Sequence, residues 1–526
     1  MGGQRPAGRA IGRRHAVLGA AAVVLGLLAV DQVHLLLAHS RHWMNEDHAL
    51  LWLGGRDLGS LRFFQPNFYG QSYFTMFGAI PTEILRRLGV ALPTAGAASS
   101  ALLAIASWLL LAAAAWRRGH RVVAVLAVAA PVVLSTDSLL AASSAGGRDA
   151  GSFLACAGTA LLLWSPRSYR HVLGFTVLAG LGVAFDFGSA LLVVPAAAFA
   201  LLANRSNRRV LVAGALGLAA PAAWLVGTFL FYRAHPDYDF YKAGSFVPKA
   251  HAFTTAVSHV SRYLAPAEPE VARWYVVPLV GMVVLTVLLL RTRRVRYAVP
   301  PLIAVVGFLY ALSTNKITFA VDAVYLWHGR FFLELPFLLW FLVYLLAESG
   351  TVRVTDRRAL VALGAVTMAV VATFAVRTAT FDHRMANVVR LSQRDAFAGV
   401  VSVTGVTQRC DALAAAAPKA GTDLVVFRID VRLPYACEAL HYGELHTLYP
   451  RFERRTWRLH DEDRRRRTRI IVGDADQAWC DQIRETVPDC APLPGVPGAV
   501  TVGFPAQPVV EFWRHLGEPV RAFDRP

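Results

Sequence analysis

The stretch WMNEDHALLW, Trp43 to Trp52, sets two adjacent carboxylates, Glu46 and Asp47, just beyond the first long apolar run of the chain. Neighbouring carboxylates suit two kinds of chemistry. One can take the proton of an attacking hydroxyl while the other assists, or both can hold a hard divalent cation such as Mg or Mn through oxygen. The plain alternative is a hydrated helix end, because acidic residues favour a first helical turn. Asp137, Arg148, Asp186, Lys316, His328 and Arg330 stand near ends of later apolar runs, where alternating crossings put them on the same side of a bilayer as the acidic pair. Arg, Lys and His are the side chains that can hold an anionic group there. Asp31 and His34 fall inside the first apolar run and should face protein or a cavity.

Composition names the scaffold that must position these residues. Of 526 residues, 55% are hydrophobic and 17% charged, and mean hydropathy is +0.44, too apolar for a water-soluble chain of this length. About eleven stretches read as membrane-crossing helices. They are Ala16–Leu37, Thr94–Ala115, Val122–Leu140, Gly151–Trp164, Val172–Phe185, Ser189–Ala203, Val210–Phe231, Trp274–Leu290, Ala298–Leu312, Phe331–Ala347 and Ala359–Val376. The fifth and sixth nearly touch and read as a tight hairpin or one broken passage. Arginines cluster at the amino end and in alternate loops, around Arg117, Arg208, Arg293 and Arg357, which marks those loops as cytoplasmic. This pattern explains much of the +18 net charge and the pI near 10.2, so the basic balance reports topology and not a nucleic-acid partner. A secretory signal is the competing reading of Ala16–Leu37, but no small-residue cleavage site follows, and the segment is expected as a retained first helix.

With the amino end inside and an odd number of crossings, everything beyond about Val376 is expected outside the plasma membrane. The expected division is a multi-pass membrane domain, 1–376, with outer loops 38–93, 232–273 and 313–330, and an extracytoplasmic α/β domain, 377–526. In the tail, Thr422–Asp430, Arg467–Ala475 and Ala499–Phe504 read as strands, with helices around Asp395–Ala417, Pro434–Tyr442 and Asp476–Val487. In the first loop, Phe74, Phe77, Ile80, Ile84, Leu85 and Leu88 could form one face of an interfacial helix interrupted at Pro81. Four of the five cysteines, Cys410, Cys437, Cys480 and Cys490, lie in the tail and suit two disulfides in an oxidising compartment. Three connectivities exist; Cys410 to Cys437 and Cys480 to Cys490 are favoured as sequence neighbours. The charge run Arg454–Arg469 reads as a solvated loop compensated by Asp461, Glu462 and Asp463, or as an anion-binding patch.

The string NEDHALLWLGGRDLGSLRFFQPNFYGQSYFTMFGAI resembles the first outer loop of GT-C glycosyltransferases that use polyprenyl-phosphate sugars. In that loop an acidic pair precedes a helix ending in an Ala/Gly-Arg-Asn/Asp-Leu element. Glu46 and Asp47 match the pair; Gly55, Arg56, Asp57 and Leu58 match the element. HGRFFLELPFLLW, His328 to Trp340, is similar to a late span opening of the same superfamily. Two departures stand out: the pair is Glu-Asp where Asp-Asp or Asp-Glu is commoner, and Glu334 replaces an apolar residue. The resemblance implies transfer of a sugar from a polyprenyl-phosphate donor to a glycan, lipid-linked or protein acceptor. It implies Asp47 as general base with Glu46 as helper or metal ligand, and Arg330 first on the donor phosphate, ahead of Lys316, His328 and Arg148. Arg56 and Asp137 complete the expected substrate-binding set, and a divalent metal is optional. A lipid or glycan transporter, or a non-catalytic envelope assembly protein, is the competing class.

Overall fold

The computed structural model describes residues 7–70, 75–133, 149–238, 248–251, 253–254, 277–313, 334–350, 356–392 and 400–520. The chain divides into two compact units. The first comprises Met1–His39, Ser100–Leu225 and Gly244–Ser392; the second comprises Ser40–Ser99, Val226–Ala243 and Gln393–Pro526.

The first unit is helical. Every expected apolar stretch is helical through most of its described residues, and four helices are long and apolar enough to cross a membrane by length and composition: His15–Ser40, Leu92–Arg117, Arg208–Ala234 and Leu360–His383. The expected fold class, a polytopic α-helical membrane protein with a carboxyl-terminal α/β part, is the one observed. Helices Asp149–Trp164 and Tyr169–Phe185 press together through small residues. A Cβ added at Gly158 would lie 2.7 Å from the Ala179 nitrogen, and one at Gly182 would lie 2.8 Å from that of Ala155. A short 3-10 turn, Phe187–Ser189, joins the second of these helices to Ala190–Ala203, and Asp186 accepts from Gly188 N at 3.0 Å. Asp186 therefore caps a turn.

Asp31 and Arg377 meet at 3.1 Å inside this unit, both buried. Arg377 also donates to the carbonyls of Val132 (2.7 Å) and Pro131 (3.3 Å), near the end of helix Arg121–Val133, where helical carbonyls lack partners. The expectation that Asp31 faces protein holds.

The second unit has a five-stranded sheet. Its strands are β3 (Leu424–Phe427), β4 (His446–Leu448), β5 (Arg466–Gly473), β6 (Cys490–Pro492) and β7 (Ala499–Pro508), in the order β4-β3-β5-β7-β6. β3 runs parallel to β4 and β5; the remaining pairs are antiparallel. A separate two-stranded ladder pairs β1 (Trp43–Met44) with β2 (Val401–Ser402). The helices of this unit are α1 (Glu46–Gly59), α2 (Ile80–Arg87), α3 (Val403–Ala420), α4 (Leu433–Leu440), α5 (Thr456–Arg464), α6 (Gln477–Ile483) and α7 (Val509–His515). Leu50 and Leu53 of α1 share one core with Leu413 of α3, Ala436 of α4 and Val425 of β3. The first expected outer loop thus folds into the same core as the tail.

The disulfides are Cys410–Cys437, which ties α3 to α4, and Cys480–Cys490. Both are the pairs favoured from sequence. Two readings need correction. Pro81 does not interrupt a helix; it occupies the first turn of α2, where its missing N–H is not needed, while Phe74 lies outside the described residues. The run Arg454–Arg469 is not a solvated loop but α5 and the start of β5, with Arg454, Arg455 and Glu462 buried.

Candidate active site

The acidic pair opens α1. Asn45 caps the helix: its Oδ1 accepts from His48 N at 3.2 Å, and its own N–H donates to His48 Nδ1 at 3.0 Å. This reciprocal cap fixes the helix start, so Glu46 and Asp47 fall in the first turn, where the helix dipole favours negative charge. Neither carboxylate is hydrated at a loop end; Glu46 is 5% and Asp47 7% exposed.

Arg454 holds them both. Its Nη1 donates to Asp47 Oδ1 at 3.1 Å and its Nη2 to Glu46 Oε2 at 3.0 Å, while its Nε lies 2.6 Å from Glu46 Oε1. The guanidinium fork matches two carboxylates side by side. Two features aim it there. The Arg454 backbone N–H donates to the Tyr435 hydroxyl at 2.9 Å, and Tyr435 sits on α4 beside the Cys410–Cys437 bridge. Gly70, at φ +68°, lets the chain pass so close that an added Cβ would lie 2.6 Å from Arg454 Cβ. Burial pushes the Glu46 carboxyl up to about 7; Arg454 opposes that rise and the charge on Asp47 adds to it.

A second buried acid stands further along α1. Asp57 accepts from the Tyr442 hydroxyl at 2.6 Å and from the Tyr69 hydroxyl, and burial raises its carboxyl to about 6 against those two donors. Next to the pair's clamp, Arg455 lies between Glu438 (2.9 Å) and Glu453 (3.0 Å).

No family model matches the chain, and no curated protein matches it. Solved structures similar to the chain include the crystal structure of ArnT from Cupriavidus metallidurans bound to undecaprenyl phosphate, with a TM-score of 0.46, 12% identity, and coverage of 95% of this chain and 98% of that one.

Of the residues expected at the site, Glu46 and Asp47 come together on Arg454. Arg56 does not join them. It lies ten residues on, about 15 Å along the helix, with its guanidinium 5.1 Å from the centre of the Tyr442 ring. Arg148, Asp137, Lys316, His328 and Arg330 lie outside the described residues. Glu334 heads helix Glu334–Ser349 in the first unit and accepts from Ser152 and, at 3.3 Å, from Ser189. Its place in an otherwise apolar motif is matched by these two hydroxyls.

Among the described residues no group of three His, Cys, Asp or Glu is placed to share a metal ion. The pair itself faces a guanidinium, whose charge repels a divalent cation at the same oxygens. Its geometry fits Arg454 and not a metal. Sequence reasoning missed Arg454, which is one arginine in a run of them. It also missed Asp57 as a buried acid, although the Tyr-rich loop after it carried the hydroxyl that a buried carboxylate needs.

Proposed function

We propose that this chain is a membrane glycosyltransferase that moves a sugar from a polyprenyl-phosphate donor to a cell-envelope acceptor on the outer face, with Asp47 as general base and Glu46 as its helper. The supporting observation is the buried Glu46–Asp47 pair on the first turn of α1, held by one guanidinium and containing a carboxyl near 7. Near neutral pH such a pair shares a proton, so its ionised member is available to accept another. The acceptor oxygen attacks the anomeric carbon, its proton passes to Asp47, and the bond from that carbon to the lipid phosphate oxygen breaks with its electron pair leaving on phosphate. Arg330, Lys316, His328 and Arg148 are the expected cations for that growing charge.

The test is transfer from a radiolabelled undecaprenyl-phosphate sugar pool to endogenous acceptor in membranes containing wild type or Asp47→Ala at equal protein level. Loss of a product that wild type makes is the expected result. Equal product from both removes Asp47 from the mechanism, and no product from either removes the transferase reading.

A transporter of lipid or glycan is the second reading, favoured by ionisable groups buried in the first unit: the Asp31–Arg377 pair and Glu334 with its serines. Glu334→Gln separates the two, since it should impair transport of a labelled lipid and leave transfer intact.

A further inference from the structure

The second unit contains a cleft of about 350 Å³ that the reading above does not use. The volume lies at the small end of the roughly 300–1,000 Å³ typical of ligand pockets, room for about one or two sugar rings.

One wall is aromatic. Trp457 stacks on Tyr238 (ring centres 5.0 Å, planes 11° apart) and on Phe64 (5.5 Å, 23°), with the edge of Tyr69 against it at 5.0 Å. These rings come from three distant stretches of chain, so the wall exists only in the folded unit. Tyr238, Trp457 and Phe64 are each half-buried, so part of the stack faces the cleft.

The other walls are charged but balanced. Four arginines and four carboxylates line the cleft, and the inner cations already have carboxylate partners. Arg455 is 2.9 Å from Glu438, Arg458 is 3.5 Å from Asp461, and Arg464 is 3.3 Å from Asp237. Arg62 leans over the Tyr442 ring at 5.9 Å. Burial lowers the His446 pKa, which favours its neutral form. At the Arg455, Arg458 and Arg464 walls, a phosphate or carboxylate ligand would have to break a pair to gain a cation, with no net gain in charge. Neutral hydroxyl groups face no such conflict. They can donate to spare carboxylate lone pairs and accept from guanidinium N–H groups that already point along the wall. Asp57 and Tyr442, also in the lining and bonded to each other, add oxygen lone pairs that can accept from a ligand hydroxyl.

We infer that this cleft binds a neutral saccharide, whose C–H face packs on the Trp457 wall and whose hydroxyls bond to the paired charges opposite. An apolar face and a rim of hydroxyls on one rigid ring is the ligand chemistry that these two walls match together. On the transferase reading this saccharide is part of the acceptor, and only that last step depends on that reading.

The experiment is saturation-transfer NMR on the full chain in lipid nanodiscs. The probes are neutral disaccharides of glucose, galactose, mannose and arabinose, with glucose 6-phosphate and glucuronic acid as anionic counterparts. Expected is transfer to ring C–H protons of at least one neutral sugar, reduced about tenfold in Trp457→Leu and kept within about twofold in Trp457→Phe. Leu keeps the apolar packing but removes the ring, so a loss confined to Leu reports the aromatic wall. Tyr238→Leu, on another segment, should give the same loss should the first variant unfold. Absence of transfer to every neutral sugar, preference for the anionic probes, or equal transfer from Trp457→Leu would overturn the inference. Binding is read without any donor, so its failure is separable from failure of sugar transfer.

Discussion

The two units bury charge on opposite plans. In the helical unit, Asp31 meets Arg377 one to one, and the remaining guanidinium donors go to main-chain carbonyls at a helix end. In the other unit, Arg454 and Arg455 stand among four carboxylates, Glu46, Asp47, Glu438 and Glu453. The first arrangement is neutral as it stands. The second has more acid than base, and burial makes a proton the cheapest way to restore balance, which is why a carboxyl near 7 appears at Glu46. A balanced pair fixes structure; an acid-rich cluster keeps a proton ready to move.

The contrast is broken most severely at Arg455. Arg455→Met leaves Glu438 and Glu453 buried without their shared cation and should destabilise the second unit by about 3–5 kcal/mol. Thermal unfolding of the purified chain in detergent would show it as a large drop in Tm. Asp31→Asn should be milder, about 1–3 kcal/mol, because Arg377 keeps two carbonyl acceptors and gains an amide oxygen in place of the charge. A loss as large as that of Arg455→Met would mean the helical pair is not the self-sufficient one described.

The smallest effect concerns pH. The folded Glu46 carboxyl lies at about 7, raised from an ordinary 4.5, so the folded chain holds a proton that the unfolded chain has released. Its contribution to stability is complete below about 4.5 and is lost as pH rises through about 7. Glu46→Gln should therefore flatten the Tm-versus-pH curve across that window and leave the acid side of the curve closest to wild type. A curve unchanged by the substitution would place the neutral-range proton elsewhere in the cluster.

Much of this architecture was legible because its signals are local. Apolar runs of helical length, the tail strands at Leu424–Phe427 and Ala499–Pro508, and the disulfide partners are all readable within short windows. β4 and β6 escaped because each is three residues long, and β6 ends in a proline that only a sheet edge accepts. Pro81 was misread because a proline that starts a helix and one that breaks it look alike without the residues around them in space. At the site, Glu46 and Asp47 were visible as a pair, but their partner lies about four hundred residues away in a run of arginines that differ only in burial. Burial is a property of the assembled core, and no spacing along the chain encodes it.

The shared core of α1 with α3 and α4 also sets a timetable. Roughly three hundred residues separate Ser99 from the start of the tail at Gln393, which at about 5–20 residues per second is about 15–60 seconds of synthesis. For that interval Leu50, Leu53 and Trp52 lack the part of their core that the tail supplies, and the acidic pair lacks Arg454. The nascent chain must shelter that helix until its last quarter emerges. A chain released before Arg454 is made would present a capped, apolar and acid-tipped helix to whatever it meets first.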